Sequence, residues 1–141
     1  MQEYLHFVGN HPLLFVALAA VVVAIAWTEL QRVTSGVKHL SANEAVILMN
    51  QDDAIVLDVR EDAELREGSI GKPKHIPLSA LDQRLRELEK HRDKTIIAYC
   101  RSGARSSRAC SKLRKAGFEK VVNLRGGILA WREANLPVRK R

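Results

Sequence analysis

The two cysteines of this chain stand in very different chemical surroundings. Cys100 directly follows the apolar run Thr95-Ile96-Ile97-Ala98-Tyr99 and opens the sequence Cys100-Arg101-Ser102-Gly103-Ala104-Arg105, which leads into a helical pattern at Ser106. In open parallel sheets, reactive groups gather where the carboxyl end of a strand turns into a helix. Three effects then act on one sulfur. A tight loop around Gly103 can turn its amides inward as an anion-binding nest. The helix start brings unsatisfied N–H groups and the positive end of its dipole, and Arg101 and Arg105 add full charges. All three favour thiolate over thiol, so Cys100 is predicted to have a depressed pKa and to act as a nucleophile. The loop Arg101, Ser102, Gly103, Ala104, Arg105 and Ser106 is predicted to cradle a persulfide anion or an oxyanion. Cys110 is in register with Ala109, Leu113 and Ala116 on the core face of the following helix, and reads as a buried structural thiol.

The elements that must position this loop are readable from periodicity. Ser41-Ala42-Asn43-Glu44 has the form of a capping box, with Ala45, Val46, Leu48 and Met49 following at helical spacing. Ala54-Ile55-Val56-Leu57 and Thr95–Tyr99 are short continuous apolar runs, predicted as strands buried on both faces. The stripe Leu81, Leu85, Leu88 predicts a helix over Ala80–His91. Ser106–Ala116 is helical in pattern and ends at Gly117, a left-handed cap. Val121–Leu124 is a further strand and Ile128–Ala134 a last short helix. Strands alternating with helices across short loops give an α/β fold with a mainly parallel central sheet.

Ahead of that domain, Leu13 to Trp27 is a run of fifteen residues without a charge, and the uncharged stretch extends from Tyr4 to Thr28. The run spans roughly 22 Å, and roughly 37 Å with its flanks, against a hydrocarbon core of about 30 Å. One transmembrane helix over residues 5–28 fits, with Trp27 and Tyr4 near the two interfaces. Ala24-Ile25-Ala26 has the look of a signal-peptidase site, but residues 1–12 lack the Lys or Arg that a signal peptide carries. The run is apolar on every face, which argues against a core helix. All 23 Lys and Arg, against 16 Asp and Glu, lie after Trp27. The positive-inside rule then predicts a single-pass protein of the inner or plasma membrane with a cytoplasmic C-terminal domain. The expected organisation is an anchor at 1–28, a linker at 29–39, the catalytic domain at 40–137 and a basic tail at 138–141.

The basic balance attracts anions of every kind and selects no partner. With few aromatics and no basic patch interleaved with them, nucleic acid is not an expected partner. Neither cysteine stands in metal-ligand spacing with the five histidines, so no metal site and no disulfide framework is expected.

The motifs taken as a set resemble the rhodanese family. Besides Cys100–Arg105, the chain carries Asp58-Val59-Arg60 followed by Glu61 and Glu64, Gly68-Ser69-Ile70, His75-Ile76-Pro77-Leu78, and Gly126-Gly127 with Ala130-Trp131, in the family's order over residues 40–137. Ser69 departs from the usual Gly-His-Ile. The resemblance implies a three-layer rhodanese-like domain without a cofactor. The Cys100 thiolate would take a sulfane sulfur from a small donor such as thiosulfate and pass it to a thiol or cyanide. Asp58 and Arg60 would tie the first strand's end to neighbouring loops, and Trp131 would be core. A cysteine phosphatase would need arginine six positions after the cysteine, where this chain has Ser106. The alternative from another class is a membrane-tethered scaffold that recruits a membrane-protein partner with marginal catalysis.

Overall fold

The computed structural model describes residues 11–34, 36–51 and 53–140. Two compact units divide at Gly36 and Val37. The first contains helix α1 (Pro12–Thr34), of which Pro12–Gln31 is long and apolar enough to cross a membrane. Its large apolar side chains, among them Leu13, Val16, Val23 and Trp27, are exposed. The expected interfacial Tyr4 lies outside the described residues.

The second unit is a five-stranded sheet in the order β1-β5-β4-β2-β3, with every pairing parallel. The strands are β1 (Lys38–Leu40), β2 (Ala54–Asp58), β3 (Lys74–His75), β4 (Thr95–Tyr99) and β5 (Val121–Leu124). Helices α2 (Ala42–Met49), α3 (Leu81–Arg84) and α4 (Ala104–Lys115) lie between strands, and α5 (Gly127–Glu133) follows the last one. Alternate residues of the central strands serve opposite faces, as the pleat requires. Leu57, Ile96, Ala98 and Val121 meet Leu81, Leu88, Ala109, Cys110 and Leu113 on one side. On the other, Val56, Tyr99 and Leu124 meet Ala42, Ala45, Ile128 and Trp131. The result is the three-layer α/β domain with a parallel sheet that the sequence predicts.

The strands read from apolar runs are where they were predicted, and the capping box at α2 is complete. The Ser41 amide donates to Glu44 Oε2 at 2.8 Å, and the Glu44 amide donates to Ser41 Oγ at 3.3 Å. Two short edge strands differ from expectation. Lys38 and His39, read as linker, belong to β1, and β3 is only two residues long. Helix α4 starts at Ala104, two residues before the predicted Ser106. The helix predicted over Ala80–His91 is broken in winding: 3₁₀ at Leu78–Ala80, α at Leu81–Arg84 and 3₁₀ again at Leu85–His91. Leu81 and Leu88 keep their place in the core. Arg84 and Glu87, joined at 2.6 and 3.1 Å, sit at the i, i+3 spacing that 3₁₀ winding brings into line.

Beyond the last strand, Trp131 packs in the second core cluster and donates its Nε1–H to the Pro137 carbonyl at 2.9 Å. The chain then returns to the loop after Glu67. Ser69 and Arg139 exchange two backbone hydrogen bonds of 2.8 Å in an antiparallel bridge. Ser69, the departure from the family pattern, is buried here.

Asp58 and Arg60 are wholly buried and bind one another. Arg60 Nε lies 3.0 Å from Asp58 Oδ1 and Arg60 Nη2 2.6 Å from Oδ2. The remaining guanidinium hydrogens reach the carbonyls of Gly68 at 2.7 Å and Glu64 at 3.3 Å. Tyr99, at the end of β4, donates its hydroxyl to Asp58 Oδ2 at 2.7 Å and accepts from the Ile70 amide at 3.2 Å. Burial first, and then the Asp58 carboxylate, push the Tyr99 phenol up, so it stays a donor. Removing one member of such a pair strands the other charge in the core, at a cost of about 3–5 kcal/mol. Arg60→Leu is therefore expected to lower unfolding free energy by that order in chemical denaturation. A loss under about 1 kcal/mol would show that the pair does not anchor this loop.

Candidate active site

Cys100 follows β4 at the carboxyl edge of the sheet, where strand β4 lies between β5 and β2. Its side chain is 1% exposed. The chain must reverse within three residues to enter α4, and Gly103 does so with φ of +93°, a backbone state that suits glycine. That turn aims the Gly103 amide at Cys100 Sγ, 3.1 Å away. From the first turn of α4, the Ser106 hydroxyl comes to 3.5 Å of the same sulfur. Burial pushes the Cys100 thiol up, but the Ser106 hydroxyl and the amides of Ser106, Gly103 and Ser102 outweigh it, and its pKa falls below the ordinary thiol value.

The Gly103 amide and the Ser106 hydroxyl that lie nearest the sulfur are neutral groups. Arg105, expected to add its charge close to the sulfur, has its two terminal nitrogens each donating to a Glu64 oxygen at 2.7 Å. Arg105 still acts on Cys100 through charge, and Glu64 in turn is held at about 2, chiefly by the Arg105 hydrogen bond. Arg101, Ser102 and Ala104 are exposed, while Gly103 and Ser106 are buried. Asp58 and Arg60 take no part in the cradle itself; they fix the loop from which Glu64 reaches Arg105. Cys110 is buried, and burial pushes its thiol up to about 12, in keeping with a structural role.

Three participants carried no assigned role in the sequence reading. Glu64 is one, and nothing in sequence tells which arginine it meets. Asn123 is another, and it had a signal: a lone amide inside the apolar strand Val121-Val122-Asn123-Leu124. Its Oδ1 accepts from Ser106 Oγ at 2.5 Å, and its Nδ2 donates to the Gly103 carbonyl at 3.2 Å and meets His39 Nδ1 at 3.0 Å. Both ends of the cradle are thereby hung from β5. The third is Gly127. The Ile128 amide donates to the Cys100 carbonyl at 2.9 Å, and a Cβ at Gly127 would lie 2.4 Å from the carbonyl oxygens of Cys100 and Arg101.

Comparison with known proteins decides what this arrangement is. The rhodanese-like domain model matches residues 41–134. The chain belongs to the rhodanese-like family. The protein YibN of Escherichia coli K12 is 39% identical over 139 residues, spanning 98% of this chain and 97% of that one. A sulfurtransferase of Allochromatium vinosum is 41% identical over 91 residues, 64% of this chain and 83% of that protein. The thiosulfate sulfurtransferase of Pseudomonas aeruginosa superposes with a TM-score of 0.71 at 27% identity, over 82% of this chain and 22% of that one. This rhodanese-like domain therefore has sulfurtransferases among its relatives.

Three outcomes follow from its cradle. The rate of Cys100 alkylation by iodoacetamide is expected to hold to lower pH than that of an unperturbed cysteine, because a depressed pKa keeps thiolate present there. Ser106→Ala is expected to move the midpoint of that profile upward, and an unmoved midpoint would remove the hydroxyl from the set of donors. Gly127→Ala, which forces the cradle apart, is expected to slow alkylation at neutral pH at least about tenfold. Alkylation at the unaltered rate would show that the close approach of α5 does not shape the loop.

Proposed function

We propose that this rhodanese-like protein is a sulfurtransferase in which Cys100 carries sulfur as a persulfide. The observation that supports it is one sulfur, almost fully buried, facing amides and a hydroxyl that favour its anion. In the first half-reaction the Cys100 thiolate attacks the outer sulfur of a donor such as thiosulfate. The donor S–S bond breaks, sulfite leaves with the electron pair, and a Cys100 persulfide anion remains in the cradle. In the second, cyanide or a thiolate attacks the outer persulfide sulfur. Thiocyanate or a new persulfide departs, and the Cys100 thiolate returns. Net charge is unchanged in each step, and no external oxidant or reductant is needed. The inward amides of Ser102, Gly103 and Ser106 offer the same stabilisation to the anion before and after loading.

Hydrolysis of phosphate esters is disfavoured by the same geometry. The position that would clamp a phosphate is Ser106, buried and committed to Asn123 and Cys100. The domain is tethered, in this reading, to the inner or plasma membrane by α1 and faces the cytoplasm. The length of Pro12–Gln31, the exposure of its apolar side chains and the lack of Lys or Arg before it support this placement.

Mass spectrometry of the protein after incubation with thiosulfate is expected to show one added sulfur on the Cys100 peptide, removed by cyanide. Cys100→Ser is expected to abolish both. A generic aryl phosphatase activity lost in that variant, without sulfur loading, would replace this reading with phosphoryl chemistry. Full rescue of a deletion phenotype by Cys100→Ser would point to a tethered scaffold. Protease added outside spheroplasts is expected to leave the domain intact, and its digestion would reverse the assigned orientation.

A further inference from the structure

We infer that Glu64 sets the donor specificity of the site by neutralising one of its two guanidinium groups, so that the advantage of multiply charged over singly charged anions is reduced. The inference rests on the sulfurtransferase reading and deepens it.

Two arginines of the loop could meet an anionic donor. Arg101 lies on the exposed rim, and among the described residues no carboxylate pairs with it. Arg105 is different. Both its terminal nitrogens are bonded to Glu64 at 2.7 Å in a two-point pair, and the two side chains are 32% and 21% exposed. The pair is thus partly exposed without being dissolved in water. Glu64 stands on the 3₁₀ segment Asp62–Glu67, which is held in place from below. Arg60 Nη1 donates to the Glu64 carbonyl at 3.3 Å, and the Glu61 amide donates to Glu64 Oε2 at 2.9 Å. The carboxylate therefore cannot swing aside without giving up the cap of its own segment. Arg105 senses the charge on Cys100, so a neutral Arg105–Glu64 pair removes one positive charge from the field that an incoming anion meets.

Coulomb energy is linear in the charge of the donor. Freeing Arg105 must then help a dianion twice as much, in free energy, as a monoanion. Glu64→Gln isolates this effect, because the amide oxygen can still accept from Glu61 or Arg105 while the negative charge is gone.

The experiment compares thiosulfate, a dianion, with methanethiosulfonate, a monoanion, in the full-length protein, with cyanide as acceptor and thiocyanate as product. Both donors react by the same balanced step, losing sulfite or methanesulfinate. Glu64→Gln is expected to raise kcat/KM about threefold for the monoanion and about tenfold, the square of that gain, for the dianion, mainly through KM. Dependence on ionic strength is expected to steepen for thiosulfate in the variant. Any change in Cys100 reactivity itself acts on both donors alike, so the ratio between them reports the charge. Equal gains, equal losses or an unchanged ratio would overturn the role given to Glu64 while leaving sulfur transfer intact. Failure of the unaltered protein to form thiocyanate from either donor would overturn the sulfurtransferase reading, and this inference with it.

Discussion

A sulfur whose anion is favoured beyond that of an ordinary thiol, in a place almost closed to water, is the constraint from which the rest of this domain can be understood. An anion withdrawn from water must find donors fixed in advance, since mobile solvent no longer supplies them. The chain meets that demand mostly with backbone. The Gly103 amide, aimed at the sulfur from 3.1 Å, costs no side-chain entropy to orient. The arginines that dominate the motif to the eye contribute charge at longer range. One of them is spoken for by Glu64.

Backbone donors hold their aim only if the backbone cannot relax, and the surroundings supply that rigidity from three sides. Below, β5 hangs the cradle from Asn123, whose amide engages Gly103 and Ser106 together. Beside it, α5 approaches so closely that a methyl group at Gly127 would collide with the cradle's carbonyls. Across the opening, the loop after β2 is pinned by the buried Asp58, Arg60 and Tyr99. The ion pair there fixes a conformation, and its members need not touch the reacting atoms to matter for them.

Much of this was legible in sequence, for reasons that can be traced to particular residues. Buried parallel strands such as Thr95–Tyr99 announce themselves because both faces must be apolar. The Ser41–Glu44 cap is local and therefore readable, and Cys100 is marked by its place between strand and helix. Edge strands of two or three residues, like β1 and β3, bury too little to leave a period. The winding of Leu78–His91 depends on hydrogen-bond geometry that an apolar stripe does not encode. The link between Glu64 and Arg105 crosses 41 positions, and no local pattern reports it. Asn123 was visible as an anomaly but had no partner until the fold placed Ser106 above it.

The return of the chain to Ser69 through Arg139 has a consequence for the order in which the loop's supports arrive during synthesis. Cys100 leaves the ribosome before residues 121–139, yet those residues carry Asn123 and Gly127, which brace its loop, and Arg139, which bridges to Ser69. Until that later stretch has docked, the loop after Cys100 lacks the contacts that hold it from β5 and α5.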